Sequence, residues 1–128
     1  MRDFLCGPDK GGEKFNWQEK NRELVSLINA RRVDEALIIG QELLDYVDKK
    51  YRKDAREKAT TYNNVGMAFL LSKEYPLAED CFHEALAMRK RIFGESHNEV
   101  AVILLNLVQL YKMQAQEILA LNRVETSE

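Results

Sequence analysis

The residue types that could do chemistry in this chain are few, and their spacing disfavours catalysis. His83-Glu84 opens like the H-E-x-x-H of zinc proteases, but the fifth residue is Ala87, so the second imidazole is missing. Cys81 and His83 stand two apart, a spacing that points them to different sides of a helix, and they read as a core cysteine and a surface histidine. His97 lies in a turn-like stretch that it would cap or orient. Gly7 to Gly12 carries no G-K-[ST] and follows no strand, so it does not read as a phosphate cradle. No serine sits in a G-x-S-x-G setting, and the two cysteines, Cys6 and Cys81, suggest no Cys–His–Asn group. Acidic residues are plentiful but scattered. A non-enzyme with no catalytic residue, no metal site and no cofactor is expected.

A basic run is the remaining candidate. Lys49, Lys50, Arg52, Lys53, Arg56 and Lys58 place six cations in ten residues, which invites a nucleic-acid reading. Asp54 and Glu57 interrupt the run, and no aromatic ladder accompanies it. Arg89, Lys90 and Arg91 recur near the matching place further on, again at a helix C-terminus, where cations complement the helix dipole. Nucleic acid is therefore the third choice of partner.

Composition agrees. Of 128 residues, 45% are hydrophobic and 31% charged, enough for one domain with a core under a charged surface. The 19 basic and 21 acidic residues give a formal charge of −2, with no bulk attraction for nucleic acid or an anionic membrane. No run approaches a membrane span, and the first residues carry no apolar stretch of signal-peptide length. Two cysteines without C-x-x-C make no disulfide framework, so a reducing, cytoplasmic setting is expected.

The elements that must position any site are helices. Residues 1–14 read as a disordered leader, with Gly7-Pro8-Asp9-Lys10-Gly11-Gly12 offering turns and no apolar face. From Phe15 the pattern is helical, with expected helices over 16–30, 33–52, 55–72, 76–92 and from 98 onward. Sliding the chain on itself by 42 residues aligns Ala36, Ala78 and Ala120, then Leu27, Phe69 and Tyr111, and also Asn64 with Asn106. In the middle unit Ala59, Tyr62, Val65, Gly66 and Phe69 share one face. Ser72-Lys73-Glu74 breaks the pattern, Pro76 suits a new first turn, and Ala78, Cys81, Phe82 and Ala85 return. Small Gly66, Ala78 and Ala85 permit a close crossing, so the unit is an antiparallel helix pair.

Tyr62-Asn63-Asn64-Val65-Gly66-x-x-Phe69, followed by Tyr75, Ala78, Phe82 and Ala85, resembles a tetratricopeptide repeat. The longer period, and the stretch from Arg91 to Ala101, resemble the 42-residue variant of kinesin light chains. The likeness covers residues 17–121. It departs at Lys20 and Glu23, where large apolar residues belong, which suggests a capping first helix with one wet face. It implies an all-α fold, a short right-handed superhelix of antiparallel helix pairs. One domain over 15–124 is expected, with repeats at 17–52, 55–93 and 98–124 and a tail at 125–128.

The resemblance also implies a function: a protein-interaction module whose first helices line a concave groove for a peptide or partner segment. Mapped here, the groove takes Arg22, Val25, Ile28 and Asn29 from the first repeat. The second gives Thr60, Asn63, Asn64, Met67 and Leu70, and the third Val102, Leu105, Asn106, Gln109 and Lys112. Asn64 and Asn106 stand out, because an amide can bond a peptide backbone without reading its side chains. Relatives that clamp C-terminal carboxylates need several groove cations; only Arg22 and Lys112 are candidates, at opposite ends, so that role is not expected.

The alternative is a self-associating assembly unit. Met113 to Ala120 contains no helix breaker where a third turn would fall, so one helix from about Asn98 to Val124 is expected, the alternative being a short return helix from Glu117 that crosses at Ala120 and restores a monomer. It would leave Leu104, Leu107, Val108, Tyr111, Ile118 and Leu121 as a face for a two-fold homodimer.

Overall fold

The computed structural model describes residues 14–126, with side chains to Arg123. The expected leader falls almost wholly, and the expected tail in part, outside the described residues. Within them are five helices and no strand: α1 (Trp17–Asn29), α2 (Val33–Lys50), α3 (Arg56–Leu71), α4 (Tyr75–Phe93) and α5 (Asn98–Thr126). Each helix packs on its neighbour in sequence, and α1, α3 and α5 also touch in a row, so α3 meets all four others.

Local chemistry explains the breaks. Asn16 caps α1, its side-chain oxygen accepting from the Glu19 N–H at 3.0 Å. Pro76 sits in the first turn of α4, and Gly94, at φ 90°, ends that helix. The turns inside the two helix pairs are copies of each other. Arg31 and Lys73, one period apart, both adopt the left-handed region, at φ 61° and 63°. Arg31 and Arg32 N–H groups bond the carbonyls of Ile28 and Leu27, and Lys73 and Glu74 bond those of Leu70 and Phe69 in the same way. At the third equivalent place, around Ala115, α5 runs on unbroken through good helix formers.

Two core clusters stack along the array. One joins Leu24, Ile28, Ala36, Leu43, Val65, Ala68 and Cys81; the other joins Leu70, Tyr75, Phe82, Ala85, Ile103, Leu107 and Leu110. Tyr62, Met67 and Phe69 pack against both. Gly66 is required at the α3–α4 crossing, since a Cβ there would lie 2.7 Å from the Phe82 ring. Arg89, only 5% exposed, reaches across from α4, donating to the Glu99 carbonyl at 3.0 Å and the Thr60 hydroxyl at 3.3 Å, with the Glu99 carboxylate at 3.2 Å. Burial lowers its pKa, and the Glu99 charge opposes that shift.

Two expectations need correction here. Leu107 does not belong to an outward face: it is 6% exposed and sits in the core cluster shared with α4. Leu70 is not a groove residue, being 1% exposed in the same cluster. The reason is the same for both: partners on more than one side cover α3 and the inward half of α5, leaving them broader buried arcs than a one-faced helix.

Candidate functional site

The first helices α1, α3 and α5 lie side by side, and two amide pairs tie them together. The Asn64 Nδ2 donates to Asn21 Oδ1 at 2.8 Å, and Asn106 Nδ2 donates to Asn63 Oδ1 at 2.8 Å. Donors 64 and 106 stand one 42-residue period apart, as do acceptors 21 and 63. The result is a ladder in which each repeat's amide reaches back to the repeat before it. Its next acceptor position is Leu105, which is 67% exposed, so the ladder ends there in an apolar side chain.

This changes the reading of the asparagines. Asn63 is not open to a ligand: it is 7% exposed and its oxygen serves Asn106. Asn64 and Asn106 are half-buried and spend one N–H each on the neighbouring helix, a structural bond that sequence reasoning missed. The signal was present, since Asn21 recurs as Asn63 at the same period.

Arg22, Val25, Asn29, Val102, Gln109 and Lys112 are exposed, as is Leu105, while Thr60 and Met67 are half-buried and Ile28 is buried. Beside the ladder's end lies a hollow of about 460 Å³ lined by Leu105, Val108, Gln109, Lys112, Met113 and Gln116. At the other end a Trp17 Nε1–H bond to the Thr61 hydroxyl at 2.8 Å, relayed to the Glu57 carbonyl at 2.8 Å, fixes α1 against α3. A second hollow of about 390 Å³ opens there between Phe15, Trp17, Tyr46, Lys50 and Tyr51.

The outer side of α5 is apolar and exposed at Leu104, Val108, Tyr111, Ile118 and Leu119. Of the residues singled out for a dimer, Leu107 is buried, and Leu121 is exposed but continues the core-facing line of Ile103 and Leu110. Tyr111 also donates to the Glu79 carboxylate of α4, and Tyr75 to that of Glu117 at 3.2 Å, so α4 steadies the middle of α5. From Ala115 to Arg123 every side chain is exposed.

The remaining candidates take local roles. Cys81 is buried, and burial, followed by the Asp80, Glu84 and Asp48 charges, pushes its thiol up to about 11. His83 is exposed, at 3.8 Å from Glu79. His97 accepts the Glu99 N–H at 3.0 Å and stacks on Phe93, orienting the turn before α5. In the basic run Asp54 takes Arg91 in a two-bond pair at 2.6 and 2.9 Å, which holds its carboxyl below the ordinary range. Lys58 donates to the Tyr51 carbonyl, and Arg56 lies over Phe93. Among the described residues no group of three or more His, Cys, Asp or Glu could hold a metal ion. No helix among them is long and apolar enough to cross a membrane.

An array of antiparallel helix pairs, with first helices on one face and identical turns and amide bonds one period apart, defines an all-α helical-repeat protein. The chain belongs to the tetratricopeptide repeat family, whose model matches residues 57–128. Members of that family are typically non-catalytic and mediate protein–protein interaction. No curated protein matches the chain.

Proposed function

We propose that this chain is a non-catalytic interaction module that holds an extended or helical segment of another protein against its concave face. The observation that carries this reading is the pair of amide bonds, Asn64 to Asn21 and Asn106 to Asn63. They hold three helices edge to edge as one surface before any ligand arrives, which reduces the ordering cost of binding. Each donating amide retains a second N–H and a carbonyl oxygen for a peptide backbone. Leu105, Gln109 and Lys112, around the 460 Å³ hollow, supply apolar contact and a cation where the ladder stops.

A peptide array tests the assignment. Hits that bind the parent should be lost by Leu105→Arg and Lys112→Glu, and kept by Ile38→Arg, a change at an exposed position on α2. Hits lost only with the α2 variant would overturn it.

A second reading, self-association, rests on a separate observation: the exposed apolar side chains along the outer face of α5. In a helix pair that face would be covered by a sixth helix. A homodimer covers it and leaves the amide ladder open, with Val108, which also lines the hollow, at the border between the two faces of α5.

A further inference from the structure

Resting on the self-association reading, we infer that the occupant of the outer face of α5 is the α5 of a second copy, antiparallel and centred between Tyr111 and Lys112. Ala101, Leu104, Val108, Tyr111, Ala115 and Ile118 are all exposed and follow one another at spacings of 3, 4, 3, 4 and 3. That is the seam of a two-helix coiled coil, running about 26 Å along the helix.

One position decides against an ordinary sixth helix. Val108 is one period after Gly66. On α3 the glycine lets the Phe82 ring of α4 lie where a Cβ would be only 2.7 Å away. Val108 fills that space, so a helix carrying an aromatic residue there cannot seat over α5 as α4 seats over α3. The facing residue must be small.

A second α5, turned end for end, meets this condition. About a centre between positions 111 and 112, Val108 meets Ala115 of the second copy, Leu104 meets Leu119 and Ile118, and the two Tyr111 rings flank the axis. Large side chains fall on large ones, and the seam's one valine falls on an alanine. The direction is also the one that each helix pair of the array already uses. The two Lys112 side chains stand on the groove side of the axis, where their long stems reach water. The large side chains on this face, Leu104, Val108, Tyr111, Ile118 and Leu119, are each between 44% and 61% exposed, a row that a second copy would cover along its whole length.

Light scattering and cysteine cross-linking test this together, in a Cys6→Ser chain where Cys81 is buried. The mass at tens of micromolar should be twice that of one chain, and Val108→Glu should return it to one while leaving the helical circular dichroism unchanged. Under mild oxidation Tyr111→Cys should form a covalent dimer at least tenfold faster than Ile118→Cys, whose two copies would stand about 20 Å apart along the helices. Mixed Leu104→Cys and Ile118→Cys chains should cross-link to each other. Equal self-linking at 111 and 118 would mean a parallel pair and overturn the inference. A dimer that links at neither place would overturn it while leaving self-association standing. A single-chain mass throughout would overturn both.

Discussion

Asn106 of α5 donates its side-chain amide to Asn63 of α3 at 2.8 Å, repeating the bond that Asn64 makes to Asn21 one period earlier. Asn63 is buried, so breaking the pair strands a polar group as well as removing a link between repeats. Asn106→Ala should destabilise the fold by about 1–2 kcal/mol, and a double-mutant cycle with Asn63→Ala should show coupling of about 0.5–1.5 kcal/mol in urea melts. Additive losses would show that the two amides act independently.

At the α3–α4 crossing two effects of known size compete. Gly66→Ala gains about 1 kcal/mol of helix propensity, while overpacking against Phe82 costs about 1–3 kcal/mol. With the added Cβ at 2.7 Å from a fully buried ring, overpacking wins, and thermal melting should shift down. In a Phe82→Leu background the sign should reverse, because the flat ring that the methyl meets is gone.

Arg31 and Lys73 hold left-handed backbone that L-residues adopt at a cost. Arg31→Gly should raise stability by about 0.5–1 kcal/mol. Lys73→Gly should gain slightly less, since Lys73 also stands 3.6 Å from the Glu117 carboxylate. Chemical denaturation of both variants checks the ordering.

The buried Cys81 thiol, raised from 9.0 to about 11, ionises later in the folded chain than in the unfolded one. Its contribution is intact below pH 9 and is lost as pH rises toward 11. In the Cys6→Ser chain, a disulfide reagent at pH 8 should label Cys81 only as fast as the protein unfolds. Labelling at the rate of a free thiol would place the sulfur at the surface.

The helix pattern was legible because its punctuation is local: Pro76, Gly94, the polar breaks after α1 and α3, and a period of 42 residues. The unbroken run of α5 was legible for the same reason, as an absence of breakers. What a single helix's periodicity could not supply was the number of neighbours around it. Leu70 sits on a helix touched by four others, so a position assigned to the groove lies in the core. Leu107 has α4 against it, although the pattern of α5 alone made it look unpartnered. Arg89 read as a dipole partner by its place near a helix end, yet it is buried, because the Glu99 carbonyl and Thr60 hydroxyl that receive it come from α5 and α3. Asn63 illustrates the same limit: its type suggests exposure, and only its partner across the groove explains its burial.

Binding of a ligand at the concave face can be followed by nuclear magnetic resonance titration of a labelled chain with a peptide selected on the parent protein. The side-chain amide signals of Asn64, Asn106 and Gln109 and the Leu105 methyls should shift in proportion to occupancy, while the Ile38 methyls on α2 stay in place. Shifts confined to α2, with the groove amides unmoved at saturation, would place the binding surface on the second helices instead.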